Sequence, residues 1–596
     1  MAHLLGAESL RLDYPTRVVF DSVTLGVSEG DRIGIVGRNG EGKSSLLGML
    51  AGRIEPSAGR VTRRGGVTMA VLDQSDTLDS GATVGSAIVG DRPEHEWAGD
   101  PKVRDVIAGL VADLPWGAQI GQLSGGQRRR VALAALLVGQ WDVIGLDEPT
   151  NHLDVEGIVW LAGHLRTRWA RNAGGLLVIT HDRWFLDEVA TATWEAHDRI
   201  VEPFEGGYAA YVLQRVERDR QAAAVEAKRQ NLMKKELAWL RRGAPARTSK
   251  PKFRIEAANV LIADVPPLRN GVELSRLAVS RLGKDVVDLL DASVAYSGGD
   301  VLRDVEWRIA PGERTAILGR NGVGKSTLLG LIAGSVAPTG GRVKRGKSVK
   351  IGVLDQQFRE LAEIAGDRVR DVLARQKASY VIDGRELTPA QLLERIGFAR
   401  EHLAARVGEL SGGQKRRLQL LLVLLSEPNL ILLDEPTNDV DLDMLTALED
   451  VLDSWPGTLI VVSHDRYFVE RVTDQQYAII GGRLRHLPGG VDEYLRLSAA
   501  PSSAPGPAGA SVSRPPDAPA SLGGAQDRAV RKELAAVERK LQRLAEQAAA
   551  IHRRMAAHDH SDYQGVLALA EQLRATEAEV ESAEARWFEL SELFES

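Results

Sequence analysis

GRNGEGKSS (Gly37–Ser45) returns almost letter for letter as GRNGVGKST (Gly319–Thr327), 282 positions later when counted from Lys43 to Lys325. Each copy follows a short apolar run, RIGIVG or RTAILG, and precedes another, SSLLGML or STLLGLI. G-x-x-x-x-G-K-[ST] between a strand and a helix is a phosphate-cradling loop. Its glycines let backbone N–H groups approach phosphate oxygens, which then rest on the positive end of the helix. Lys43 and Lys325 are placed to reach the β- and γ-phosphates, and Ser44 and Ser326 to ligate Mg²⁺.

Other segments repeat in the same order. QLSGGQRRR returns as ELSGGQKRR, GLDEPTNHLD as LLDEPTNDVD, and ITHDRWF as VSHDRYF. Ser124 to Ser411 and Glu148 to Glu435 are each 287 positions apart, and His181 to His464 is 283. Ordered motifs at a near-constant offset mean two tandem copies of one domain. In VIGLDEP and LILLDEP a buried strand ends in two carboxylates. Asp147 and Asp434 suit Mg²⁺ coordination. Glu148 and Glu435 are placed to polarise an attacking water, with His181 and His464 holding the γ-phosphate geometry.

Composition narrows the class. The chain has 596 residues, 44% apolar and 26% charged, which suits a globular protein of several domains. No apolar run is long enough to span a bilayer, since LQLLLVLLSEPNLILLDEP is interrupted at Ser426–Asn429. MAHLLGAESLRLDY lacks the pattern of a signal peptide. The absence of cysteine excludes disulfides, thiolate metal sites and cysteine catalysis. A cytoplasmic location is expected. The net charge of −6 argues that any nucleic-acid contact is local.

With LSGGQ in each half, the chain resembles the ATP-binding-cassette ATPases, and the resemblance covers nearly all of residues 1–500. It implies an α/β fold of two tandem P-loop NTPase domains, each with a helical signature subdomain, closing head to tail over two ATP molecules. One ATP would contact Gly37, Arg38, Asn39, Gly40, Glu41, Gly42, Lys43, Ser44 and Ser45, together with Ser411, Gly412, Gly413 and Gln414 of the other half. The second would contact Gly319, Arg320, Asn321, Gly322, Val323, Gly324, Lys325, Ser326 and Thr327, together with Ser124, Gly125, Gly126 and Gln127. Tyr14 and Tyr296 match the aromatic that stacks on adenine. Gln74 and Gln356 match the glutamine loop and its metal contact. ATP and Mg²⁺ are the implied ligands, and ATP hydrolysis to ADP and phosphate the implied activity.

Within that family the layout resembles the ABC-F class, whose paired cassettes are joined by a charged linker. The expected domains are a first cassette over 1–207, a helical linker over 208–287 and a second cassette over 288–498. A Pro/Ala/Ser-rich tether over 499–525 and a coiled-coil hairpin over 526–596 follow. From Arg215 to Arg254 there are 13 basic and 4 acidic residues. WLRRGAPARTSKPKFR (Trp239–Arg254) holds six Lys or Arg and no acid, which suits an RNA backbone. W-x-R-x-G-x-x-A-R resembles the linker tip of the Uup and translational-throttle branches. The resemblance implies a ribosome-associated factor whose linker points toward the P-site tRNA and peptidyl-transferase region, working as a monomer with an intramolecular cassette pair. No large arm is inserted in the first cassette, so ribosomal contacts that some relatives make through one are not expected. The tail has apolar heptad seams from Leu534 to Met555 and from Leu569 to Phe594, and a hairpin of that kind resembles the Uup branch. Alternatives that the residues leave open are DNA association through that hairpin, a ribosome-protecting antibiotic-resistance factor, and the ATPase subunit of a separate membrane transporter.

Overall fold

Two pairs of apolar runs set the layering: VIGLD (Val143–Asp147) and GLLVI (Gly175–Ile179), buried at every position, and their counterparts LILLD (Leu430–Asp434) and TLIVV (Thr458–Val462). Strands with no polar alternation need cover on both faces, and a parallel sheet between helices supplies it. The computed structural model describes residues 2–15, 17–73, 78–170, 172–218, 286–296, 299–355, 358–382, 385–395, 398–438, 440–453 and 455–499, with Lys540 and Gln572. Gln74, Gln356, most of the linker, the tether and nearly all of the tail hairpin lie outside the described residues. Both cassettes fall within one compact unit, Met1–Pro501.

The first cassette contains β1 (His3–Tyr14), β2 (Arg17–Ser28), β3 (Arg32–Gly37), β4 (Ala58–Arg63), β5 (Met69–Leu72), β6 (Val143–Asp147), β7 (Gly175–Ile179), β8 (Ala192–His197) and β9 (Ile200–Glu205). Its main sheet runs β5-β6-β7-β3-β8-β9, parallel except for the antiparallel edge β9. An antiparallel sheet, β2-β1-β4, packs against it. The helix Lys43–Leu50 lies between them, sharing one core with Leu10, Phe20, Ile33 and Ile35. That packing fixes where the loop before the helix points.

The second cassette repeats the plan. It contains β10 (Val287–Tyr296), β11 (Gly299–Ile309), β12 (Arg314–Leu318), β13 (Gly340–Arg345), β14 (Ile351–Leu354), β15 (Tyr380–Ile382), β16 (Arg385–Leu387), β17 (Leu430–Asp434), β18 (Thr458–Val462), β19 (Gln475–Ile480) and β20 (Arg483–His486). The sheets run β14-β17-β18-β12-β19-β20 and β11-β10-β13. The β15–β16 hairpin has no counterpart among the described residues of the first cassette, and it accounts for the longer spacing between Gln356 and Ser411. In both sheets the functional segments follow the carboxyl ends of three adjacent parallel strands, where α/β sheets place their ligands. Among the described residues no helix is long and apolar enough to cross a membrane.

Leu177 and Leu432 are fully buried, each in the middle of its sheet. Leu177→Ala or Leu432→Ala is expected to cost about 2–5 kcal/mol, whereas Leu213→Ala, at a residue 73% exposed, is expected to be near neutral. Shifts of the chemical-denaturation midpoint measure both.

Candidate functional site

The phosphate loops have the backbone that their glycines require. Gly37 and Gly42 sit at φ +142° and +88°, and a Cβ on Gly37 would lie 2.3 Å from the Ala196 carbonyl oxygen. Gly319 and Gly324 repeat this at +150° and +109°. The ammonium of Lys43 donates to the Gly37 and Arg38 carbonyls at 2.7 and 3.1 Å. That of Lys325 donates to Gly319 and Arg320 at 2.6 and 3.3 Å. Burial lowers the pKa of both lysines.

The acid pairs stand at the ends of β6 and β17. Burial raises the pKa of Asp147 and Asp434, while hydrogen bonds from Ser44 and Ser326 oppose the shift. A hydroxyl beside a carboxylate is a hard oxygen pair, the chemistry that Mg²⁺ selects. Each glutamate then takes a left-handed turn, Glu148 at φ 49° and Glu435 at φ 45°. For a residue with a side chain that conformation costs about 1–3 kcal/mol and persists only where the surroundings enforce it. Here the enforcing bonds run from the Glu148 amide to the Ile179 carbonyl (2.8 Å) and from the Glu435 amide to Val462 (2.9 Å). Arg129 and Arg416, from the signature helices, bond the carbonyls of Asp147 and Glu435 and brace the same turns.

His181 Nε2 lies 3.4 Å from Glu148 Oε1, and His464 Nε2 lies 3.2 Å from Glu435 Oε1. His464 also meets Lys325 Nζ at 3.0 Å and Asn321 Oδ1 at 3.2 Å. Burial, with Lys43 or Lys325 nearby, holds both imidazoles well below their usual pKa, so they are neutral. Burial pushes the Glu435 carboxyl up to about 7, against the opposing pull of Lys325 and of a hydrogen bond from the His464 backbone.

The signature serines begin 14-residue helices, Gly125–Val138 and Gly412–Leu425. Ser124 Oγ accepts from the Gln127 amide at 3.3 Å, while Gln127 Oε1 accepts from the Ser124 amide at 2.9 Å; Ser411 and Gln414 form the same box at the same distances. An accepting hydroxyl keeps its own proton to donate. Each helix start faces the opposite phosphate loop. A cavity of about 580 Å³ is lined by Asn39, Gly40, Gly42, Lys43, Ser44 and Ser45 from one side and Ser411, Gly412 and Gly413 from the other. A second, of about 410 Å³, joins Asn321 and Gly322 to Ser124, Gly126 and Gln127, with Glu435 and His464 in its wall. Tyr14 and Tyr296 end β1 and β10, 46% and 53% exposed, and line neither cavity.

Three sets of interface residues are absent from the sequence-based assignment. Asp154 caps its own helix through the Gly157 amide (3.0 Å) and accepts from the Asn321 amide of the opposite loop (3.3 Å). Asp441 does the same with Met444 (2.9 Å) and Asn39 (3.3 Å). Buried between the cassettes, Arg183 pairs with Glu449 and, at 3.2 Å, with Asp465. Asp182 beside it is raised to about 7 by burial and by Asp465. The aspartates end the LDEPTNHLD and LDEPTNDVD repeats, a signal that was available; Glu449 carries none.

Comparison with known proteins identifies the family. The ABC transporter family model matches residues 20–151 and 302–438, and the ABC transporter C-terminal domain model matches 526–592. The chain is 36% identical to the uncharacterized ABC transporter ATP-binding protein YfmR of Bacillus subtilis, over 99% of each chain. It is 34% identical to the energy-dependent translational throttle protein EttA of Mycobacterium tuberculosis, over 78% of this chain and 89% of that one. Among solved structures it resembles the archaeal ribosome recycling factor aABCE1 in its complex with ribosomal stalk protein aP1 (TM-score 0.58, 20% identity, 82% and 92% coverage), a likeness of fold.

The raised Glu435 carboxyl makes a pH prediction. Below the ordinary carboxyl value of 4.5 both folded and unfolded chains carry the proton. As pH rises toward about 7 the unfolded chain ionises first, so this group's stabilising contribution is lost across that window. Glu435→Gln does not titrate, so its stability relative to the parent is expected to rise by roughly 2–3 kcal/mol between those limits. Denaturation midpoints of the two proteins from pH 4.5 to 7.5 test it.

Proposed function

The chain belongs to the ABC-F family of ATP-binding-cassette ATPases and hydrolyses ATP; from that premise we propose that it closes its two cassettes over two ATP molecules to engage a ribosome and opens on hydrolysis to leave it. The observation that carries the reading is the pair of cavities, each lined by the phosphate loop of one cassette and the signature serine of the other. A site divided in this way is complete only when the halves meet, so the γ-phosphate acts as the bridge.

In each site the loop amides and Lys43 or Lys325 bind the β- and γ-phosphates. Ser44 with Asp147, and Ser326 with Asp434, would hold Mg²⁺, which when bound neutralises phosphate charge. The opposite signature helix presents its amides, and the Ser411 or Ser124 hydroxyl donates to the γ-phosphate. Glu148 or Glu435 accepts a proton from water as the water oxygen bonds to the γ-phosphorus. The bond to the bridging oxygen breaks, and ADP and phosphate result. A neutral His181 or His464 orients the γ-phosphate without adding charge. Loss of the phosphate bridge lets the cassettes part.

The name of EttA ties a relative that aligns over most of this chain to translation. The basic run Trp239–Arg254 suits RNA, and we assign it the tRNA and ribosomal RNA contact near the peptidyl-transferase region.

Glu148→Gln/Glu435→Gln, in the full chain with ATP, is expected to cosediment with ribosomes and to lose affinity steeply as salt rises. Absence of ATP-dependent binding at low salt would overturn the ribosomal assignment. Rapid turnover by the double variant would overturn the role of the glutamates. Neutralising Arg241, Arg242, Arg247, Lys250, Lys252 and Arg254 is expected to abolish ribosome stimulation of hydrolysis while leaving basal hydrolysis nearly intact.

A further inference from the structure

The helical residues 208–218 continue the first cassette toward the linker, and their root is tied down by charge. Arg215 Nη2 donates to Asp443 Oδ1 at 2.9 Å, and Arg215 Nε lies 3.3 Å from the buried Glu195. Tyr211, itself buried, donates to Glu195 at 2.9 Å and accepts from Arg215 at 3.1 Å. Arg218 adds a bond to Glu195 at 2.7 Å. Glu195, Tyr211, Arg215 and Arg218 all belong to the first cassette and its continuation. Asp443 does not. It stands in the first turn of the helix Leu442–Asp453 of the second cassette.

The other oxygen of Asp443 accepts from Arg38 Nε at 2.7 Å. Arg38 is the second residue of the first phosphate loop. A single carboxylate from one cassette therefore stands between two guanidiniums of the other, one on the nucleotide loop and one at the root of the linker. Burial opposes charge on Asp443, and Arg215 and Arg38 overcome it, holding the carboxyl below its usual range. Arg215 and Arg38 repel each other when no anion lies between them.

The second cassette has the corresponding arrangement in a weaker form. Glu156, in the first turn of the helix Val155–Thr167, lies 3.6 Å from Arg320 of the second phosphate loop. It also accepts from Tyr494 at 2.5 Å, and Tyr494 belongs to the helix Gly490–Ala499 that continues toward the tail. Duplication preserved the place of the wedge. Among the described residues, the outgoing helix offers this carboxylate a charged group, Arg215, at the linker and a tyrosine, Tyr494, at the other end.

We propose that Asp443 is a positioning residue that transmits closure over the first ATP to the linker. Closure inserts its carboxylate between Arg38 and Arg215 and seats residues 208–218. Opening withdraws it, and the two guanidiniums push the root away from the loop. The proposal rests on ATP-driven closure of the cassettes.

The test is amide hydrogen exchange of the full-length Glu148→Gln/Glu435→Gln protein, with and without ATP. Two segments are read together: residues 208–218, and the signature helices at 125–138 and 412–425. In the parent, ATP is expected to slow exchange in both. Adding Asp443→Asn is expected to remove about fivefold to tenfold of the ATP-dependent protection at 208–218 while leaving that at the signature helices. Arg215→Gln, which alters the linker side, is expected to do the same, and Asp443→Glu to restore it. Unchanged protection at 208–218 in Asp443→Asn, with the signature helices protected, would overturn the wedge alone. No ATP-dependent protection at the signature helices of the parent would overturn the closure reading and the wedge with it.

Discussion

Asp154 and Asp441 each do two things with one carboxylate, and the architecture depends on it. One oxygen caps the aspartate's own helix; the other accepts the amide of Asn321 or Asn39 on the opposite phosphate loop. A capping bond is local and holds the side chain in a single rotamer. Held in that way, the second oxygen marks the position that the facing loop must take. The glutamate turns stand a few residues upstream on the same segments. Alignment of the cassettes and placement of the Glu148 and Glu435 carboxylates thus come from one short stretch in each copy.

Most of the site was legible because its parts are local. The phosphate loops, acid pairs, histidines and signature serines are each defined by a few contiguous residues, and the structure brings them together across the interface. The duplication was legible for the same reason. The left-handed turns at Glu148 and Glu435 were not, because a glutamate carries no advertisement for positive φ; a backbone bond to the neighbouring strand enforces it. Arg183 with Glu449, and Asp443 between Arg38 and Arg215, were hidden because each joins helix faces that meet only after both cassettes have folded. The exposed positions of Tyr14 and Tyr296 likewise follow from where a strand stops, which side-chain pattern does not settle.

The two copies have diverged in how they treat equivalent cations. Arg130 on the first signature helix makes a two-pronged pair with Asp113 at 2.7 and 2.8 Å, whereas Arg417 on the second pairs with Asp441 at 3.2 Å. Arg183 is buried against the partner cassette, whereas Arg466 turns outward to Glu470 and Asp492. Buried ion pairs contribute little net stability because desolvation offsets attraction. The Arg183 pair also depends on alignment, because its acids, Glu449 and Asp465, come from the other cassette.

That dependence reaches beyond one chain. The position equivalent to Glu449 in the first cassette is Ala162, which is buried and apolar. A first cassette meeting another first cassette would set Ala162 opposite Arg183 in place of Glu449 and leave Asp182, the counterpart of Asp465, as the facing acid. The contact of Arg183 with Glu449 thus distinguishes the observed pairing of unlike cassettes from a pairing of two first cassettes. Both copies carry the arginine, Arg183 and Arg466, so the asymmetry lies in the facing position, Glu449 on the second cassette and Ala162 on the first.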